Sequence, residues 1–74
     1  MDEKLSEQLE AVIDALTLSH TQAEVAMRTM RKQHVHFGLE YDHPDNDIKQ
    51  LIGRLRYMQR IAQRREAADA ATER

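Results

Sequence analysis

The feature that most constrains the fold of this chain is a long repeat in its first half, where apolar or small residues recur at alternating intervals of four and three. This spacing returns to one side of an α-helix, so it predicts a long amphipathic helix that packs against another helix. Ile13 and Met27 lie beside this stripe and widen it, which favours a bundle helix over a strict two-stranded coiled coil. The predicted stripe comprises Leu5, Leu9, Val12, Leu16, Ser19, Ala23, Ala26, Met30, Gln33 and Phe37.

A glycine and a proline interrupt the repeat and predict that the chain reverses direction. Gly38, between Phe37 and Leu39, is typical of a helix end because glycine readily adopts the left-handed conformation. Pro44 suits the first turn of a new helix, where its missing N–H has no partner to lose. A short connection makes the two helices antiparallel neighbours. The second predicted stripe comprises Ile48, Leu51, Leu55, Met58 and Ala62, and Ile52 lies beside it.

These features predict an all-α fold, an antiparallel two-helix hairpin that forms a single domain over residues 1–74. We expect helix 1 over about 3–37, a turn over about 38–43, helix 2 over about 44–68 and a frayed tail over 69–74. Phe37, Leu39 and Tyr41 are expected to cap the end of the hairpin. With Gly 2, Pro 1 and 4% aromatic residues, the composition favours helices, and strands are not expected.

The small size of the chain predicts self-association. A domain of 74 residues buries only roughly 60% of its unfolded surface, and without cysteine no disulfide can stabilise it. If the chain reverses near Tyr41, Ala23 lies opposite Arg60, and the aliphatic end of helix 1 faces only the Ala-rich tail. We expect a homodimeric four-helix bundle to bury that end. The predicted self-association residues are Leu5, Leu9, Val12, Ile13 and Leu16.

The charges are segmented along the chain and predict a macromolecular partner. Residues 48–65 carry six bases and no acid, whereas residues 1–24 carry six acids and one base. The bases either answer these acids or follow a phosphate backbone, with Tyr57 or an arginine stacking on bases. A net charge of -2 and few aromatic residues favour pairing of these bases with the chain's own acids, in residues 2–14 and 40–47, within the hairpin or across a dimer. As an external partner, an acidic protein is expected, and RNA or DNA is the alternative. The predicted partner-binding residues are Arg54, Arg56, Tyr57, Arg60, Ile61 and Arg64.

Two apolar pairs lie off the predicted stripes and suggest a second contact face. Leu18 and Val25 form one pair on helix 1, and Tyr57 and Ile61 form the other on helix 2. Single exposed apolar residues are ordinary on protein surfaces. Pairs at helical spacing are interpreted either as scatter of that kind or as a second surface for association.

The stretch from His34 to Asp47 is the one candidate for metal binding, because histidines and carboxylates crowd together there. His34 and His36 are two residues apart and diverge by about 200° on a helix, which opposes joint ligation. His43 has aspartates nearby, but no His-Glu-x-x-His pattern occurs. We interpret these residues as turn and cap residues and expect no metal and no cofactor.

Catalysis is not predicted either. The chain has no cysteine, no glycine-framed serine and no pair of carboxylates in an apolar setting. A two-helix hairpin also offers little concavity, so we expect neither an enzyme nor a small-molecule substrate. His20 is expected to occupy a boundary position satisfied by a polar neighbour, the alternative being a pair of His20 side chains that titrates across a dimer axis.

In length, heptad stripes and a glycine-containing polar turn, the chain resembles two kinds of small helical hairpin. One is the plasmid copy-number regulators, whose dimer is a four-helix bundle that binds paired RNA; the other is the co-chaperones of type III secretion needle subunits. The resemblance covers architecture only and carries over no functional residue. We predict a small non-catalytic interaction protein of the adaptor, chaperone or inhibitor type. The acidic N-terminus and the absence of an apolar run near ~20 residues predict a cytoplasmic protein without a membrane span.

Overall fold

The computed structural model describes residues 3–38, 40 and 42–72, and it consists of two helices. Helix α1 spans Leu5–Gln33 and helix α2 spans Pro44–Thr72. The helices pack against each other in antiparallel directions, because Ser6 at the start of α1 contacts Glu66 near the end of α2. No strand occurs in the described ranges. The all-helical hairpin predicted from the sequence is therefore confirmed.

Helix α1 ends four residues earlier than the sequence predicts. His34 adopts the left-handed conformation (φ 55°, ψ 40°), and its N–H donates to the carbonyl of Arg31 while the N–H of Val35 donates to that of Met30. This Schellman pattern satisfies carbonyls at the helix end. Gly38 has a positive φ of 115° as expected, but it lies in the loop. The β-branched and aromatic residues after His34 are weak helix formers, which favours the earlier end.

Helix α2 begins at Pro44, as predicted, and continues beyond the predicted end near residue 68 to Thr72. The carbonyl of His43 accepts the N–H groups of Asn46 and Asp47, which closes the first turn. Alanine is the strongest helix former, so the Ala-rich end continues the helix where fraying was expected.

The residues that face the other helix form a stripe on each helix, here called the inner stripe. On α1 it comprises Ser6, Leu9, Ile13, Leu16, His20, Ala23, Met27 and Met30. On α2 it comprises Asp45, Ile48, Ile52, Leu55, Gln59, Ala62 and Glu66. Half of the predicted stripe is thus displaced by one residue: Ile13 is 4% exposed, whereas Val12 is 45% exposed.

The register between the helices also differs from the prediction. Gln59 donates hydrogen bonds to the carbonyl of Ser6 and to the carboxylate of Glu10, so the α2 segment around Gln59 lies beside the first turns of α1. The prediction placed Arg60 opposite Ala23 instead. Because α1 ends at Gln33, the chain reverses earlier and α2 moves along α1. Consequently Leu9 and Ile13 are buried inside the hairpin itself rather than left facing a tail.

The hairpin is a single elongated layer. Its extents are 61 × 20 × 13 Å and its radius of gyration is 17.5 Å, against about 11 Å for a compact chain of this length. In the described ranges, only Leu9, Ile13, Met27 and Ala62 are buried apolar residues, and no large side chain is fully enclosed. Phe37, expected to cap the hairpin, is 65% exposed, and Leu39 and Tyr41 lie outside the described residues. Two broad sides therefore remain open.

Candidate interaction surfaces

The two open sides of the hairpin differ in chemistry, and the difference follows from position relative to the inner stripe. An α-helix turns about 100° per residue, so the residue before an inner-stripe residue points to one side and the residue after it to the other. Antiparallel helices turn in opposite senses when viewed from one end. The residues that precede the inner stripe therefore lie on the same side of the hairpin in α1 and α2, and the residues that follow it share the opposite side.

The side formed by the preceding residues is here called the apolar face. In α1 all of its residues are uncharged, namely Leu5, Gln8, Val12, Ala15, Ser19, Gln22, Ala26 and Thr29. In α2 they are Asp47, Leu51, Arg54, Met58, Ile61 and Arg65. Leu51, Met58 and Ile61 are 42%, 48% and 40% exposed. Exposed apolar side chains that recur along one side in this way, here with Arg54 between Leu51 and Met58, indicate a candidate association surface.

The opposite side is the charged face. In the first half of α1 it carries the carboxylates of Glu7, Glu10 and Asp14. In α2 it carries Lys49, Arg56 and Arg60, and Arg64 lies at its outer edge, two residues after Ala62; these four cations are here called the basic row. All four are exposed. Acids and bases thus lie side by side on one face.

The close ion pairs of the described residues both involve histidine. His20 Nδ1 lies 3.1 Å from Glu24 Oε1, and His36 Nδ1 lies 3.7 Å from Asp42 Oδ2. The polar neighbour expected for His20 is therefore present. No described lysine or arginine forms a close ion pair with a described carboxylate. The segmented charges predicted, as one alternative, that the basic row pairs with the acids of α1. No such close ion pair is present among the described residues.

The five predicted association residues divide into two groups. Leu9 and Ile13 are buried in the inner stripe, and Leu16 is half-buried there. Leu5 and Val12 lie on the apolar face and are exposed. Only these last two are available to a second molecule, and their role in association stays a prediction.

The six predicted partner-binding residues also divide between the two sides. Arg54 and Ile61 precede inner-stripe residues and lie on the apolar face, whereas Arg56 and Arg60 follow such residues and lie on the charged face. Arg64 is two residues from the inner stripe and lies at the outer edge of the charged face. Tyr57 lies on the outer edge between the two faces and is 63% exposed. Their spacing on α2 therefore gives two surfaces instead of one.

Gly53 lies in the gap of the basic row, between Lys49 and Arg56. A Cβ atom added there would meet nothing within 4 Å. The packing of the hairpin therefore does not require glycine at this position, although glycine in a helix interior costs about 1 kcal/mol relative to alanine.

Polar contacts join the helices at the end of the hairpin that holds the chain termini. The hydroxyl of Ser6 donates to Glu66 Oε1, and the Ser6 N–H donates to Glu66 Oε2 at 3.1 Å. These bonds, first the hydroxyl and then the backbone bond, hold the pKa of Glu66 below its usual range. This pair was not predicted from the sequence, because the stripes were expected to be apolar. The spacing of three and four residues that joins Ile52, Leu55, Gln59 and Ala62 continues to Glu66, and this spacing predicts that Glu66 faces the other helix.

A cleft of about 360 Å³ lies at the loop end, between α1 and the segment before α2. Its lining combines apolar side chains with charged side chains of both signs. The lining residues are Met27, Met30, Arg31, Val35, His36, Asp42, His43 and Asp45. Among the described residues, no group of three or more histidines and carboxylates is arranged to hold a metal ion.

Neither described helix is long and apolar enough to cross a membrane. Comparison of the chain with protein-family models, with curated proteins and with solved structures finds no match.

Proposed function

We propose that this chain is a small non-catalytic interaction protein of the cytoplasm, of the adaptor, chaperone or inhibitor type. In this proposal two copies form a homodimeric four-helix bundle through their apolar faces. The charged faces then point outwards, and the basic row of α2 binds a protein partner.

The openness of the hairpin supports the dimer. A layer of two helices encloses no large side chain among the described residues, and only four of its apolar residues are buried. Such a layer has little hydrophobic stabilisation in isolation. Packing a second layer on the apolar face would bury Leu5, Val12, Leu51, Met58 and Ile61, which removes exposed apolar surface and closes the core.

The observation that carries the partner proposal is the exposed basic row without close carboxylate partners. Cations held on a rigid helix without close ion pairs in the described hairpin are available to steer and orient an acidic partner. Gly53 supports the same proposal. Glycine makes the helix less stable than alanine would, and nothing in the described hairpin requires glycine at this position. Close approach by the backbone of a partner at Gly53 would explain it.

The mixed charge of the face favours a protein over a nucleic acid as partner. Gln59 lies between the arginines of the basic row in sequence and is hydrogen-bonded to Glu10. A phosphate backbone that followed the row would therefore run close to the carboxylates of α1, which oppose it. A protein surface with charges of both signs can complement both helices.

The experiment compares four immobilised proteins for retention of partners from nuclease-treated extract of the source cells. The variants are Arg56→Gln with Arg60→Gln, Gly53→Ala, and the control Arg28→Gln, which also removes a cation from the charged face but from α1. We expect one discrete protein to be retained by the wild type and the control and lost from the other two. Gly53→Ala should at the same time unfold at a higher temperature, since it removes the helix penalty at an open site.

Retention seen only in a parallel extract that has not been treated with nuclease, together with binding of a short labelled RNA duplex that weakens steeply with salt, would replace this proposal with nucleic-acid binding. Equal retention by the Arg56→Gln, Arg60→Gln protein would exclude the basic row as the binding site.

A further inference from the structure

We propose that the second layer of the bundle is a second copy of this chain, related by a two-fold axis that runs across the helices. In this arrangement α1 packs on α1 and α2 on α2, each pair antiparallel. Asp47 of each copy pairs with Arg65 of the other. The inference rests on the dimer of the proposed function and specifies its orientation and register.

The apolar face of α2 is complementary to itself in charge and size. Its residues recur at steps of four and three from Asp47 to Arg65, the spacing of an antiparallel coiled-coil contact. A two-fold axis that crosses α2 at the level of Arg56 brings three kinds of pair together. Asp47 meets Arg65, Leu51 meets Ile61, and Arg54 meets Met58. Within one chain Asp47 and Arg65 are about 27 Å apart along the helix, so only a second copy can pair them.

The apolar face of α1 supports the same antiparallel arrangement through side-chain volume. Leu5 and Val12 are large, whereas Ser19 and Ala26 are small. When two α1 helices pack antiparallel about a point between Ala15 and Leu16, the large half of each meets the small half of the other. Alternation of large and small residues across facing positions gives even packing along an interface.

The two centres coincide in the hairpin, although each is derived from a different helix. Ser6 contacts Glu66, and Leu16 and Arg56 each lie about 15 Å from that contact along their helices. Leu16 and Arg56 therefore lie at the same level along the hairpin, so one two-fold axis passes through both centres. Two independent patterns thus give one symmetry axis.

The available area is sufficient for a stable dimer. One side of the layer measures 61 by 20 Å, on the order of 1,200 Å², which exceeds the roughly 800 Å² per partner of a standard interface. The other two-fold arrangement, in which α1 packs on α2 of the second copy, places Asp47 and Arg65 opposite uncharged residues of α1. Burying these charges without partners is unfavourable.

Charge reversal tests the proposed register. Asp47→Arg and Arg65→Asp should each weaken the dimer by about tenfold or more, because each places like charges together at two symmetric contacts. The double variant should regain the wild-type affinity, and an equimolar mixture of the two single variants should form a heterodimer in preference to either homodimer. The control is Arg28→Asp on the charged face, which should dimerise normally. Sedimentation equilibrium measures these affinities.

A disulfide provides a second test, since the chain has no cysteine of its own. Ala15→Cys lies next to the axis and should form a cross-linked dimer under mild oxidation. Gln22→Cys lies about 10 Å from the axis along the helix, beyond the reach of a disulfide to its own copy, and should remain reduced.

The outcomes separate the register from the dimer. A wild-type protein that sediments as a monomer would overturn both the dimer and this inference. A wild-type dimer that is insensitive to Asp47→Arg, shows no rescue in the double variant and forms no disulfide at position 15 would overturn the register alone.

Discussion

At the residue scale, the contact between Ser6 and Glu66 shows how one polar pair fixes the relation between two helices. Hydrogen bonds from the Ser6 hydroxyl and N–H hold the pKa of Glu66 below its usual range. Apolar stripes alone permit a helix to slide by a turn, whereas a directional bond permits one position. This pair therefore helps to set the register of the hairpin.

The lowered pKa of Glu66 predicts a pH dependence of stability. The stabilisation is fully present above the pKa of a glutamate in the unfolded chain, about 4.3, and is lost as the pH falls through the lower pKa of the folded state. Glu66→Gln should be less stable than the wild type at neutral pH, and the difference should vanish in acid. Urea unfolding at a series of pH values measures this.

Asp14→Asn is the matched control, because Asp14 is exposed and no cross-helix hydrogen bond to it appears in the described structure. A wild-type protein and a Glu66→Gln variant with parallel pH profiles would show that the pair contributes nothing to folding.

The conformation of His34 illustrates a limit of prediction at this scale. Glycine is the usual residue at a left-handed helix end, so Gly38 was the natural choice. The helix ends at His34 because the backbone of Arg31 and Met30 finds donors there and the following residues are weak helix formers. Neither the hydrogen bonds at His34 nor the weak helix propensity of the residues after it is as strong a signal of a helix end in the sequence as a glycine.

At the element scale, each helix carries the inner stripe and, one residue before it, the apolar face. Because the two are adjacent, half of the predicted stripe is displaced by one residue. The pattern of α1 fits Val12 and Ile13 equally well as inward-facing residues, because both are β-branched aliphatics beside Leu9 and Leu16. Hydrophobic periodicity predicted the two helices and their pairing correctly. Only the packing of α2, which lies nearer Ile13, decides between the two stripes.

This division predicts different consequences for two neighbouring residues. Ile13→Ala should destabilise the hairpin by about 2 to 4 kcal/mol, because the removed atoms are buried in the inner stripe. Val12→Ala should leave the helix content at high protein concentration unchanged and should weaken self-association. Circular dichroism and sedimentation measure the two effects. A loss of helix content in Val12→Ala as large as that in Ile13→Ala would contradict the assignment of the two stripes.

The candidate surfaces follow from the same rule. The sequence identified the basic residues of α2, but it combined Arg54 and Ile61 with Arg56 and Arg60, which the inner stripe separates. The exposed side of each helix depends on where the other helix packs, and the loop between the helices sets that position. The early end of α1 at Gln33, which lengthens the connection to α2, was not indicated by the composition.

At the scale of the whole molecule, the elongated layer predicts that folding and association are coupled. If the native protein is a dimer, its melting temperature rises with protein concentration by mass action. We expect a solution mass of twice 8.6 kDa by light scattering and a higher melting temperature at each tenfold increase in concentration. A mass of one chain with a melting temperature independent of concentration would exclude the homodimer.

The position of the basic row, on the side of the hairpin opposite the apolar face, has a consequence for how the proposed dimer would meet its partners. With the apolar faces joined, the two basic rows point in opposite directions on the outside of the bundle. Each dimer would then be bivalent and could bridge two partner molecules, and a partner that is itself repetitive would be held with an avidity above that of a single site. A monomeric variant would present only one basic row. It would therefore compete with the dimer for partner molecules, and it could not bridge two of them.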